Sequence, residues 1–207
     1  GGNGVYRYGT SGFPTETWNA SNYWVDVVFQ ESSDPLPTPT LAVSTWSDAE
    51  LPSVPSAADP NAVELGMKFQ SEVDGFVTGV RFFKGSANTG VHLGNLWSAD
   101  GTLLASVAFE NETASGWQEM ALPSPVAITA NTTYLVSYHT EVGGYAVDAG
   151  YFAVGDHYNP PLRALADGAA GGNGVYRYGT SGYQTETWTA SNRWPHHRPQ
   201  PTSATLP

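Results

Sequence analysis

From residue 62 onward the apolar side chains fall at every second position. In 62–70, Val63, Leu65, Met67 and Phe69 alternate with Glu64, Gly66, Lys68 and Gln70, the period of two that a strand with one buried face requires. A turn at 72–75 leads into 76–85. That run carries Phe76, Val80 and Phe82 on one side and Val77, Arg81 and Phe83 on the other, so both faces have apolar character. Residues 91–98 place Val91, Leu93, Asn95 and Trp97 opposite His92, Gly94 and Leu96, and Asp100-Gly101 marks a hairpin turn into 102–110. Further strands are predicted at 117–122, 126–129, 132–140 and 145–152, with one more at 23–30, rich in Trp, Val and Phe. The single helical candidate is 160–166. Short strands separated by Gly, Asn, Pro and Ser predict an all-β fold, an antiparallel β-sandwich of jelly-roll type.

The second organising feature is a repeat. Residues 1–24 recur at 171–194, and only four of the 24 positions differ: Phe13 against Tyr183, Pro14 against Gln184, Asn19 against Thr189 and Tyr23 against Arg193. An offset of 170 is the period of a whole domain, far beyond the roughly 20 to 50 residues of a solenoid unit. The reading is an excerpt from a tandem array. Residues 1–30 are the tail of a preceding copy, 31–60 are a Pro/Ser-rich linker, 61–194 are the sandwich domain, and 195–207 are an aberrant tail. Within the linker, 41–46 offers a first edge strand. After Trp194 the copies part completely, PHHRPQPTSATLP standing where the first has VDVVFQESSDP, which suggests a break in the reading frame. The domain then lacks its own closing strand, and 25–29 of the preceding copy is placed to fill the gap by strand exchange.

Composition narrows the chemistry. The charged fraction is 13%, with 23 Gly and 15 Pro, and the net charge is −11. So acidic a chain repels a phosphate backbone or an anionic membrane surface, so neither nucleic acid nor membrane insertion is expected. No cysteine is present, which excludes disulfides and thiolate metal sites. An initiating Met and a signal peptide, if they exist, belong to sequence upstream.

The run LGMKFQSEVDGFVTGVRFFKGSANTGVHLGNLWSADGTLLASVAFENETASGWQEM, with VAITANTTYLVSYHT, GGYAVDAGYF, NGVYRYG and ASNYWVDVVF, resembles the bacterial family called domain of unknown function 4082. The resemblance spans about 50–194, and 1–30 match the family's C-terminal end. It implies a β-sandwich module of large secreted or cell-surface multidomain proteins, set beside immunoglobulin-like repeats and carbohydrate-active domains. A binding role is implied only by that company.

No nucleophile elbow, zinc-protease motif or phosphate loop is present. Catalytic carboxylates are not singled out by spacing, because Glu64, Asp74, Asp100, Glu110, Glu112 and Glu119 fall on alternating polar positions or in turns. The 7 Trp, 11 Tyr and 8 Phe point instead to binding, since sugar rings stack on aromatic faces and pair their hydroxyls with a few fixed polar groups. The candidate ligand residues are Arg81, Lys84, His92, Asn95, Trp97, His139 and Tyr145, and the candidate partners are a polysaccharide or cell-surface glycan and neighbouring domains of the same polypeptide. Several residues have a structural alternative: Arg81 an ion pair with Glu64 or Asp148, Trp97, Trp117 and Tyr134 core packing, His92 and His139 internal hydrogen bonds, and the Tyr-Arg-Tyr of the repeat a strand edge. No cofactor is expected beyond a weak calcium signal from Asp148, Asp156 and Asp167. Three readings follow: a noncatalytic carbohydrate-binding or substrate-targeting module, then a structural spacer in an adhesin-like array, and last a glycoside-processing enzyme domain, which would need converging carboxylates in a deep pocket. Exposed aromatics converging on one patch mark the first; buried or scattered ones mark the second.

Overall fold

The computed structural model describes residues 4–14, 16–17, 19–32 and 42–170. The second copy of the repeat and the aberrant tail, with their readings, lie outside the described residues, as does most of the Pro-rich part of the expected linker. Two antiparallel sheets pack face to face. The larger contains β10 (His157–Asn159), β11 (Leu162–Ala164), β4 (Val63–Ser71), β9 (Tyr134–Thr140), β6 (His92–Ser98) and β7 (Leu103–Ala108), in that order. On the same edge of β4 as β11 lies β1 (Gly4–Tyr8), which also carries the two-residue β2 (Glu16–Thr17). The smaller sheet is β3 (Val25–Glu31), β5 (Gly75–Lys84) and β8 (Gly116–Ile128). The chain is thus a β-sandwich, as its alternating pattern predicts.

The core is made by the inward parity of each sheet. Leu65, Met67, Phe69, Leu96, Val136 and Tyr138 meet Val25, Val27, Phe29, Val77, Val80 and Phe82, all buried. Phe82 stacks on Tyr138 at 4.3 Å between ring centroids and meets Phe109 edge-on at 4.8 Å, contacts worth about 1 kcal/mol each beyond their area. Gly94 lets the layers close here, because a Cβ at that position would lie 3.0 Å from both Phe109 and Val80.

Several local expectations are corrected by tertiary pairing. Phe76 and Val80 do not share the buried face. A bulge at Thr78 shifts the register between Val77 and Gly79, so Val77 is buried and Phe76 is half-exposed. The strands expected at 117–122 and 126–129 are one strand with an irregularity at Pro123 and Pro125, which have no N–H for the ladder. The strand expected at 145–152 is absent. Val147 and Asp148 make isolated bridges to Val54 and Asn22, and Gly150, at φ 74°, turns the chain into a short 3-10 turn at Tyr151–Ala153. The helix expected at 160–166 is instead strand β11, because β4 offers it a free edge along Phe69–Ser71 and Leu162 and Ala164 are fully buried there.

The described part of the expected linker is packed against the sandwich. Val43 exchanges both backbone hydrogen bonds with Phe29 at 2.7 and 2.8 Å, and among the described residues 42–46 it alone bridges a strand. Trp46 is fully buried against Trp24, Tyr151, Phe152 and His157. The indole acts together with backbone bonds from Ala57 to Tyr145 and from Val147 to Val54. The closing strand comes from residues 25–31, paired along β5.

Candidate functional site

The outward parity of the larger sheet gathers polar groups in a band. Strand register sets Arg7 of β1 opposite Glu64 of β4, Glu64 opposite His139 of β9, and Ser137 opposite Asn95 of β6. Glu64 is fully buried. One carboxylate oxygen accepts hydrogen bonds from Ser137 Oγ at 2.6 Å and Asn95 Nδ2 at 2.8 Å; the other accepts from Ser11 Oγ at 3.0 Å and the Gly12 N–H at 3.1 Å. Burial pushes its pKa up, while Ser137, Asn95, the nearby His139 and Gly12 pull it back. Every contact is a donor, the arrangement that suits a carboxylate. Trp97 donates its indole N–H to Ser137 Oγ at 2.8 Å, and His139 Nε2 donates to the Gly9 carbonyl at 2.6 Å.

The band is roofed by the loop at 9–13. Phe13 meets the Trp97 ring edge-on at 5.5 Å, and Gly12 packs so closely on the Arg7 guanidinium that a Cβ there would lie 1.8 Å from Nη1. Asn95, Trp97 and His139, three of the sequence candidates, therefore do share a face. Asn95 and Trp97 are tied together through Glu64 and Ser137, while His139, across the ladder from Glu64, is bonded to the roof loop at Gly9. The sequence reading placed Glu64 among the polar positions and as a possible partner of Arg81, and did not single out Ser137. The opposite parity of Glu64 to the core residues of β4 was the one legible signal, since what joins it to Asn95 is long-range register.

The other candidates go elsewhere. His92 faces inward, fully buried, between Glu112 (Nδ1 to Oε1 2.8 Å) and Asn88 (Nε2 to Oδ1 2.7 Å), and Lys84 pairs with the same Glu112 at 2.7 Å. Burial lowers the His92 pKa, and Glu112 opposes it. Arg81 lies on the outer face of the smaller sheet. Its ion-pair partner is neither Glu64 nor Asp148 but Asp48, at 2.6 Å, because the segment at 44–48 folds across that face. Arg81 also donates to Ser44 and sits 4.2 Å over the Trp117 ring. Tyr145 donates to Asp59 at 3.2 Å, as Tyr8 does at 2.8 Å.

A shallow cleft of 480 Å³ opens between 148 and 157, lined by Asp148, Tyr151, Val154, Asp156 and His157. His157 stacks on Trp46 at 5.4 Å, and Tyr151 and His157 Nδ1 are 3.0 Å apart. Among the described residues no three His, Asp or Glu side chains converge as a metal site. Of the acids with a calcium signal, Asp148 accepts from Trp24 Nε1 and the Ser53 N–H, Asp156 accepts from the Ala166 N–H and faces Arg163, and Asp167 interacts electrostatically with Lys68.

A family model described as a domain of unknown function (DUF4082) matches residues 49–195. No curated protein matches the chain. The chain belongs to that family.

Proposed function

We propose that the chain is a noncatalytic β-sandwich module of a multidomain extracellular protein, and that its work is structural. The observation carrying this reading is the burial of its aromatic side chains, whether in the core or under a covering loop. Trp24, Trp46, Tyr6, Tyr23 and Tyr138 are buried, and Trp97 is 7% exposed beneath Phe13. A sugar platform needs ring faces in solvent. Among the described residues only Phe76 and Tyr158 are aromatics in the exposed set, and they lie on different sheets. The noncatalytic part is supported by the buried acids. The oxygens of Glu64 accept from protein donors, those of Asp26 from the backbone, and Glu112 is shared between Lys84 and His92. The extracellular setting is what the family resemblance implies, and neighbouring domains of the same polypeptide are the partners it implies.

A second reading, a carbohydrate-binding accessory module, is favoured by the cleft at 148–157, where Tyr151 and His157 stand beside two carboxylates. A glycan array probed with the full chain in the presence of calcium separates the two. The expected result is no retention on any glycan. Retention that disappears in a folded Tyr151→Ala variant, while Trp97→Ala still binds, assigns a sugar site to the cleft and overturns the structural reading.

A further inference from the structure

The segment that precedes the family match is built into the sandwich at both sheets. β1 adds to the edge of β4 over five residue pairs, and β3 runs along β5. Between them Asn22 exchanges backbone hydrogen bonds with Asp148, both at 2.9 Å, and the Asn19 and Ala20 carbonyls accept from Gly150 and Phe152. Tyr6, Tyr23, Trp24, Val25, Val27 and Phe29 are buried in the seat so formed. Without them two sheet edges and a strip of core stand open, the condition in which a chain takes a strand from a neighbour.

Twenty of the first 24 residues are written again at 171–194, so the chain carries one seat and two versions of the segment that fills it. The versions are not equivalent at the positions the seat tests. Asn19 has φ 48°, a left-handed conformation that Asn tolerates and the β-branched Thr189 resists. Tyr23 is 2% exposed, and the second version has Arg193 there. Beyond Trp24 the first version supplies β3, whereas the second continues into Pro195. At these positions the seat fits the N-terminal version better.

We propose that residues 4–31 are an exchangeable closing segment, so that the sandwich of one chain accepts this segment from a second copy of the same chain. The chain between Glu31 and Val43 is where the two halves part. Its sequence holds Pro35, Pro37 and Pro39, residues that lack the N–H a sheet ladder needs. In a longer protein the same exchange closes each unit with the tail of the unit before it. The inference stands on the seating of the segment, and it holds whether or not the cleft binds a sugar.

The test uses the full chain with a protease site inserted between Pro37 and Thr38. After cleavage the two fragments are expected to stay together on gel filtration. A fluorescent peptide of residues 1–32 should then replace the native fragment when the nicked protein is unfolded and refolded with it. The same peptide carrying Asn19→Thr and Tyr23→Arg should compete at least about tenfold more weakly, since it must bury a charge in the core. The uncut chain refolded at high concentration should yield a dimer by light scattering. Loss of the cut fragment while the remainder keeps its melting temperature would show that the body closes without it. That result, equal competition by the two peptides, or a monomer at every refolding concentration overturns the proposal.

Discussion

Each face of the sandwich has a buried carboxylate that ties down a segment from outside the sheets, and the two do it differently. On the smaller sheet Asp26 is fully buried, and its oxygens accept the N–H groups of Thr45 at 2.9 Å and Trp46 at 3.0 Å. On the larger sheet Glu64 takes two donors from its own sheet and two from the roof loop. The difference is in how freely the donors can turn away. Backbone N–H groups beside a buried tryptophan have nowhere else to go, whereas serine hydroxyls and a loop glycine can rotate toward water. Asp26 is therefore a structural pin, and Glu64 is the centre of a network with slack at its outer edge.

The largest expected effect is on that contrast. Asp26→Ala leaves two backbone donors unpaired in the core and should cost about 3 kcal/mol in denaturant unfolding; Glu64→Ala should cost about 1–2 kcal/mol, because Ser11 and Gly12 recover water. Equal losses would erase the distinction.

A smaller effect is the pH dependence. Burial raises the Asp26 carboxyl from its ordinary 3.8 to about 6, against the pull of the Trp46 and Thr45 donors and Arg81. The folded chain then takes up a proton below pH 6 that the unfolded chain refuses until about pH 4. The burden of the buried charge is thus present above about pH 6 and is lifted as pH falls toward 4. This group makes the fold more stable at pH 5 than at pH 7, by on the order of 1 kcal/mol. Glu64 acts in the same direction, and His92, whose pKa is lowered, acts in the opposite one. Carboxyl NMR of Asp26 should show a midpoint near 6, and Asp26→Asn should remove its share of the slope. A midpoint below 4 sinks this account.

The smallest effect sharpens the other side. Phe13→Ala removes the edge-on partner of Trp97 and should cost about 1 kcal/mol while shifting Trp97 emission to the red. Unchanged emission would mean that the roof does not screen the indole.

Much of this was legible in the chain. The alternation at 62–70 names both the core residues of β4 and the outward position of Glu64, and Asn95, Trp97 and His139 were picked out one by one. That Asn95 and Trp97 share a network with Glu64, beside His139, was not legible, because strand register joins residues 31 and 73 positions apart, and no local pattern encodes it. The partners of His92 and Arg81 were not legible for the same reason. Their partners, Glu112, Asn88 and Asp48, lie in loops whose approach is set by the fold.

The sequence by itself determined the all-β class, the sandwich, the family and the doubled closing segment, since each is written in local period or direct repetition. The tertiary structure alone decided that Leu162–Ala164 pair as a strand, that 43–60 pack as part of the domain, and that most of the described aromatics are covered. In each case an unfilled sheet edge or core pocket outweighed a local propensity worth well under about 1 kcal/mol per residue.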